Sequence, residues 1–90
     1  MPRKPQVEFD HSAWFHRLSN AIVYYRRENG FTQEELAEKA GISHRYMCTI
    51  EAQGSITAVS LELLFNFAKV LNVEPDQLLR APLPPVKQPD

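Results

Sequence analysis

Four side chains between residues 44 and 49, namely His44, Arg45, Tyr46 and Thr49, place hydrogen-bond donors and acceptors on one short stretch of chain. Arginine carries a planar fork of N–H donors that matches the O6 and N7 acceptors of guanine two bonds at a time, a contact worth about 1 to 3 kcal/mol of discrimination between bases. Histidine can donate to a purine N7 or a phosphate. A tyrosine hydroxyl can bond a phosphate while its ring packs on a thymine methyl, and threonine has both a hydroxyl and a methyl. A second group suits phosphates rather than bases: Thr32, Gln33, Ser43, then Gln53, Gly54, Ser55 and Thr57, with Ser60 beyond. Short polar side chains and the free backbone N–H groups of helix starts hold phosphate oxygens. Taken alone, residues 44 to 46 serve equally well as a solvated helix face.

Acting together, these side chains need a scaffold, and the stretch QEELAEKAGISHRYMCTI from Gln33 to Ile50 describes one. A helix rich in Glu, Leu and Ala runs to Ala40, Gly41 can take the positive φ that closes it, and Ser43 can cap the next. Leu36, Ala40, Ile42, Met47 and Ile50 then share one core, and Ala37 is small enough for the second helix to cross close over the first. Thr32 followed by Glu35 forms a capping box for the first of these two helices, and the second runs to about Ala52.

The flanks fill out an all-α domain of five helices. Upstream, Asp10 or Ser12 can cap a helix whose Phe15, Leu18, Ile22 and Tyr25 recur at the spacing of one buried face, ending near Asn29 and Gly30. After a loop over residues 53–59, Ser60 caps a fourth helix with Leu61, Leu64, Ala68, Leu71 and either Phe65 or Phe67 inward, and Asn72 stands where glycine is usual. Glu74 and Pro75 start a short fifth helix through Leu79. Residues 1–8, with two prolines and two basic side chains, read as a flexible arm; residues 9–80 form the domain; residues 81–90 are a proline-rich, disordered extended tail.

Composition bounds the reading. The chain has 90 residues, 43% of them hydrophobic, and a formal net charge of −1. A domain this small buries about 60% of its unfolded surface, so a folding partner would help. A single cysteine excludes an intrachain disulfide, no apolar run approaches the roughly 20 residues of a membrane span, and no leader segment is visible; the expected location is the cytoplasm.

Arg26 ahead of the turn Asn29-Gly30-Phe31-Thr32, the Gln33–Ile50 stretch, Glu51, and the run SLELLFNFAKVLNVEPDQLL from Ser60 to Leu79 together resemble the Cro/cI-type (XRE-like) helix-turn-helix DNA-binding domains, over roughly Leu18 to Leu79. The resemblance implies a compact five-helix, lambda-repressor-like fold whose third helix enters the major groove, with His44, Arg45, Tyr46 and Thr49 toward base edges. It implies that Gln33 anchors the DNA backbone and that Arg26 and Glu51 form a buried structural ion pair. It further implies a sequence-specific transcriptional regulator, of repressor or controller type, bound to double-stranded DNA at a palindromic operator as a homodimer. One departure stands out: relatives carry basic residues after the glutamate, whereas Glu51 is followed here by Ala52, Gln53, Gly54 and Ser55, in a longer, uncharged loop.

Trp14, Val23, Tyr24, Leu63, Phe65 and Val70 fall outside the best inward stripes. Leu63, Val70 and Leu79 are the candidate dimer contacts through helices four and five, with Trp14 and Phe15 as a second contact. Basic residues Arg26, Arg27, Lys39 and Arg45 face acidic Glu28, Glu34, Glu35, Glu38 and Glu51 across the motif region, an unpromising balance for a strong DNA binder. That balance favours the alternative of a protein-binding module, such as an antitoxin or antirepressor. No enzyme is expected, since His11, His16 and His44 belong to no catalytic set. His44 and Cys48 lie four apart on one helix but make only two metal ligands, so no metal or cofactor is expected, and Cys48 reads as a semi-buried filler.

Overall fold

A computed structural model describes Phe9, residues 11–52 and residues 56–80. Among the described residues the fold is all-α: α1 (His11–Glu28), α2 (Gln33–Ala40), α3 (His44–Glu51), α4 (Leu61–Leu71) and a final helical turn over Pro75–Leu78. The arm, the tail, Asp10 and the loop residues Gln53, Gly54 and Ser55 lie outside the described residues. The expected fifth helix is a 3₁₀ turn that stops at Leu78, because a four-residue segment opened by Pro75 closes with i to i+3 bonds.

Local chemistry places the helix ends. Thr32 Oγ1 accepts from Glu35 N–H at 3.0 Å while Thr32 N–H donates to Glu35 Oε1 at 2.8 Å, a reciprocal capping box. Ser43 Oγ accepts from Tyr46 N–H and Ser60 Oγ from Leu63 N–H, so α3 and α4 open on serine caps. Gly41 takes φ 79° and Asn72 φ 59°, left-handed residues that close α2 and α4. Ser12 lies inside the first turn of α1 and is therefore not its cap. Helix α3 ends at Glu51, with Ala52 as its C-cap.

One core joins all four helices. Ile22 of α1, Leu36 of α2, Met47 of α3, Phe67 and Leu71 of α4 and Leu78 of the final turn are fully buried, and Ala37 is 1% exposed at the α2/α3 crossing. Phe67, not Phe65, fills the fourth helix's inward position. The phase of α4 corrects two sequence expectations: Leu63, placed outside the inward stripe, is a core residue only 7% exposed, which leaves little of it for the expected dimer contact, while Leu61, placed inward, is 64% exposed. The buried set Leu63, Leu64, Phe67, Ala68 and Leu71 defines an arc that leaves Leu61, the first residue of the helix, at its edge. Val70 and Leu79 are half-buried against the core, as are Phe15, Tyr24 and Ile42, so the first two offer little free area to a partner.

Candidate nucleic-acid interface

The site is built on a network that ties three helices together. Arg26 of α1 grips Glu51 at the end of α3 with two bonds, Nε to Oε2 at 2.8 Å and Nη2 to Oε1 at 3.0 Å, and its Nη1 donates to Phe31 O at 2.9 Å. The arginine side chain is 12% exposed and the glutamate 2%. This is the bidentate geometry in which guanidinium and carboxylate bond most strongly. The ion pair implied by the family resemblance is therefore present and buried.

Gln33, the first residue of α2, joins the same network. Its Nε2 donates to Glu51 Oε1 at 2.8 Å, and its Oε1 accepts from Cys48 Sγ at 3.4 Å. A carboxamide has two N–H donors, of which Glu51 takes one; the other meets no acceptor among the described residues. Fixing the amide costs the side chain its rotamer freedom before any ligand arrives, so less is lost on binding. The sequence did not announce this bond, and its signal could only have been that Gln33 opens the helix crossing the end of α3.

On α3 the side chains divide by exposure. Met47, Ile50 and Glu51 face inward, while His44, Arg45, Cys48 and Thr49 are exposed and Tyr46 is half-buried against the core. Cys48 is thus a surface residue, correcting its assignment as a semi-buried filler. Among the described residues no ion pair engages Arg45, so its fork is free to meet an acceptor. Thr49 Oγ1 donates to Arg45 O at 3.1 Å, which commits its proton and leaves its lone pairs and methyl. No group of three potential metal ligands occurs among the described residues.

The phosphate candidates fare unequally. Thr32 and Ser43 sit at the starts of α2 and α3 with their oxygens engaged as caps, so what they offer a phosphate is mainly the outward N–H groups of the turns they open. Thr57 is turned back, its Oγ1 donating to Thr49 O at 3.4 Å. Two further contacts, Ser19 Oγ to Ile50 O at 2.8 Å and Asn29 Nδ2 to Leu71 O at 3.2 Å, pin α1 to the ends of α3 and α4. Neither was anticipated, because side-chain bonds to distant carbonyls leave no sequence pattern.

Electrostatically the face is mixed. Glu51 is neutralised by Arg26, but Glu35 is ionised and exposed, its pKa lowered first by the Thr32 backbone N–H, then by the Thr32 hydroxyl, with a smaller contribution from Lys39. No helix among the described residues is long and apolar enough to cross a membrane.

Comparison with known proteins bears on this face. A model of the helix-turn-helix family matches residues 22–78. The chain is 37% identical over 62 residues to the HTH-type transcriptional regulator SinR of Bacillus subtilis (strain 168), covering 69% of this chain and 55% of that protein. It is 39% identical over 57 residues to an uncharacterized HTH-type transcriptional regulator of Methanocaldococcus jannaschii, covering 63% of this chain and 83% of that protein. The chain therefore spans about half the length of the SinR proteins it matches. Among solved structures, the crystal structure of the master regulator for biofilm formation SinR in complex with DNA is similar with a TM-score of 0.64 and 36% identity, over 70% of this chain and 98% of that one.

Proposed function

The chain belongs to the helix-turn-helix family, matched across residues 22–78, and from that premise we propose that it is a sequence-specific DNA-binding transcriptional regulator. Helix α3 enters the major groove, and Arg45 reads a guanine edge with His44, Tyr46 and Thr49 beside it. Gln33 and the N–H groups opening α2 and α3 hold the flanking phosphates, together with the loop residues Gln53, Gly54, Ser55 and Thr57. Two copies bind a palindromic operator, their recognition helices about 34 Å apart. Such a protein works in the cytoplasm.

The observation that carries this reading is the orientation of α3: its Glu51 end is locked to Arg26 and Gln33 while Arg45 projects without an ion-pair partner among the described residues. The solved complex of SinR with DNA, 36% identical, supports it. The test is a fluorescence-anisotropy titration against the DNA upstream of the protein's own gene and a scrambled control, at two salt concentrations. Salt-sensitive preference for the upstream DNA is expected, with Arg45→Ala costing about 1 to 3 kcal/mol on that site and less on scrambled DNA. Gln33→Ala should weaken both alike.

One observation favours a second reading. The net charge of −1 and the acidic Glu34, Glu35 and Glu38 on the exposed side of α2 are unusual in a phosphate-binding face. Folded protein that binds neither DNA at low salt would turn the face toward a protein partner.

A further inference from the structure

The end of α2 and the flank of α4 leave an open groove of about 570 Å³ between them, and none of its lining residues belongs to the set assigned to DNA. Phe31, Ala40 and Val70 give it an apolar wall, while Lys39, Lys69 and Asn66 bring polar groups to it. Small-molecule sites are built from such a mixture and measure about 300 to 1,000 Å³. The charge of the lining is unlike that of the molecule: two ammoniums and no carboxylate, on a chain whose net charge is −1. Two adjoining grooves differ, since one sets Glu74 against Lys69 and the other holds Glu62 with no lysine. Among the described residues neither Lys39 nor Lys69 joins an ion pair; Lys39 Nζ lies 5.3 Å from the centre of the Phe31 ring.

Both lysines stand in the last turns of their helices, where a cation offsets the partial negative charge of the free carbonyls. That accounts for lysine at these two positions but not for the groove between them. The carbonyls of Ala37 and Glu38 already accept from the Ile42 and Gly41 N–H groups, and those of Ala68 and Lys69 from Val73 and Asn72. The ammoniums are therefore not consumed by the helix ends. From this we infer that the groove is a binding site for a small organic anion, an acidic head group on a flat apolar body. Lys39 and Lys69 hold the head, the Asn66 amide donates to one of its oxygens, and the body lies against Phe31 and Val70. The site stands whether or not α3 reads DNA. Because both ammoniums are exposed, each contributes up to about fivefold in affinity, and salt weakens the binding.

The test is an amide-resolved NMR titration of the full chain with four probes: phenylacetate, phenyl phosphate, 2-phenylethanol, which keeps the body without the charge, and inorganic phosphate, which keeps the charge without the body. Saturable shifts at Ala40, Asn66, Lys69 and Val70 are expected with the two organic anions, at least about fivefold tighter than with either control. Lys39→Gln and Lys69→Gln should each weaken the organic anions by up to about fivefold while leaving 2-phenylethanol unchanged, and the unshifted amides of α1 and α3 report that the fold is intact. Shifts that never saturate overturn the inference. So do equal affinity for 2-phenylethanol or for inorganic phosphate, and organic-anion binding undiminished when both lysines are replaced.

Discussion

Replacing Glu51 with alanine removes the carboxylate on which three helices converge. Two bonds from Arg26 and one from Gln33 lose their acceptor, at 2.8 Å, 3.0 Å and 2.8 Å. A solvent-exposed pair would be worth about 0 to 1 kcal/mol, and a buried one left half-broken costs about 3 to 5 kcal/mol. Side-chain exposures of 2% for Glu51 and 12% for Arg26 place this pair in the second class. The residual opening at Arg26 lets water repay part of the loss, so the lower end, about 3 kcal/mol, is expected. At about 4 to 8 °C per kcal/mol for a domain of this size, Tm falls by about 12 to 24 °C. Urea unfolding followed by far-ultraviolet circular dichroism measures the difference from the shift in midpoint at constant slope. The double replacement Arg26→Met with Glu51→Leu, which leaves no orphaned charge, should recover most of the loss. A Glu51→Ala protein within about 1 kcal/mol of the parent would refute the argument, because the pair would then be behaving as surface charge does.

Two further outcomes follow from the helix ends. Gly41→Ala should cost about 1 to 2 kcal/mol in the same urea assay, all of it backbone strain, since φ is 79° and an added Cβ meets nothing within 4 Å; Asn72→Gly, at φ 59°, should be neutral or slightly stabilising. Glu35→Gln should be less stable than the parent at neutral pH, with the gap closing in acid. The folded pKa lies below the ordinary 4.5, so the carboxylate's contribution is present above the unfolded value and lost as pH falls through the lower folded one. Melting curves of both proteins from neutral pH down through that window check it, and a gap that widens in acid would contradict the sign.

What could be read from the sequence was what is decided within a few residues. The Thr32/Glu35 box, the serine caps at Ser43 and Ser60 and the left-handed positions of Gly41 and Asn72 are contacts of three or four residues' reach, and each is where its residue type requires. The phase of α4 was less legible, because Leu61, Leu63, Leu64, Phe65 and Phe67 supply apolar side chains to more than one face; packing against α1 and α2 chooses among them. Cys48 was misplaced for a related reason: it follows the buried Met47, and one residue along a helix turns the side chain about 100° away. The Arg26–Glu51 pair, 25 residues apart, was visible only through the family resemblance, and the Gln33 bond to Glu51 not at all.

A chain with a net charge of −1 has little general attraction for DNA to spend. Binding must therefore rest on placement. Burying Glu51 against Arg26 takes one acid out of play and fixes the Gln33 amide beside the start of α2, so that one residue serves both the fold and the proposed phosphate contact. Arg45 then stands on a helix held at one end by that network and at its other by the Ser43 cap. The chain commands few cations, and phosphate contacts add their contributions in the exponent of the binding constant. The proposed pairing of two copies on one operator would double those contacts.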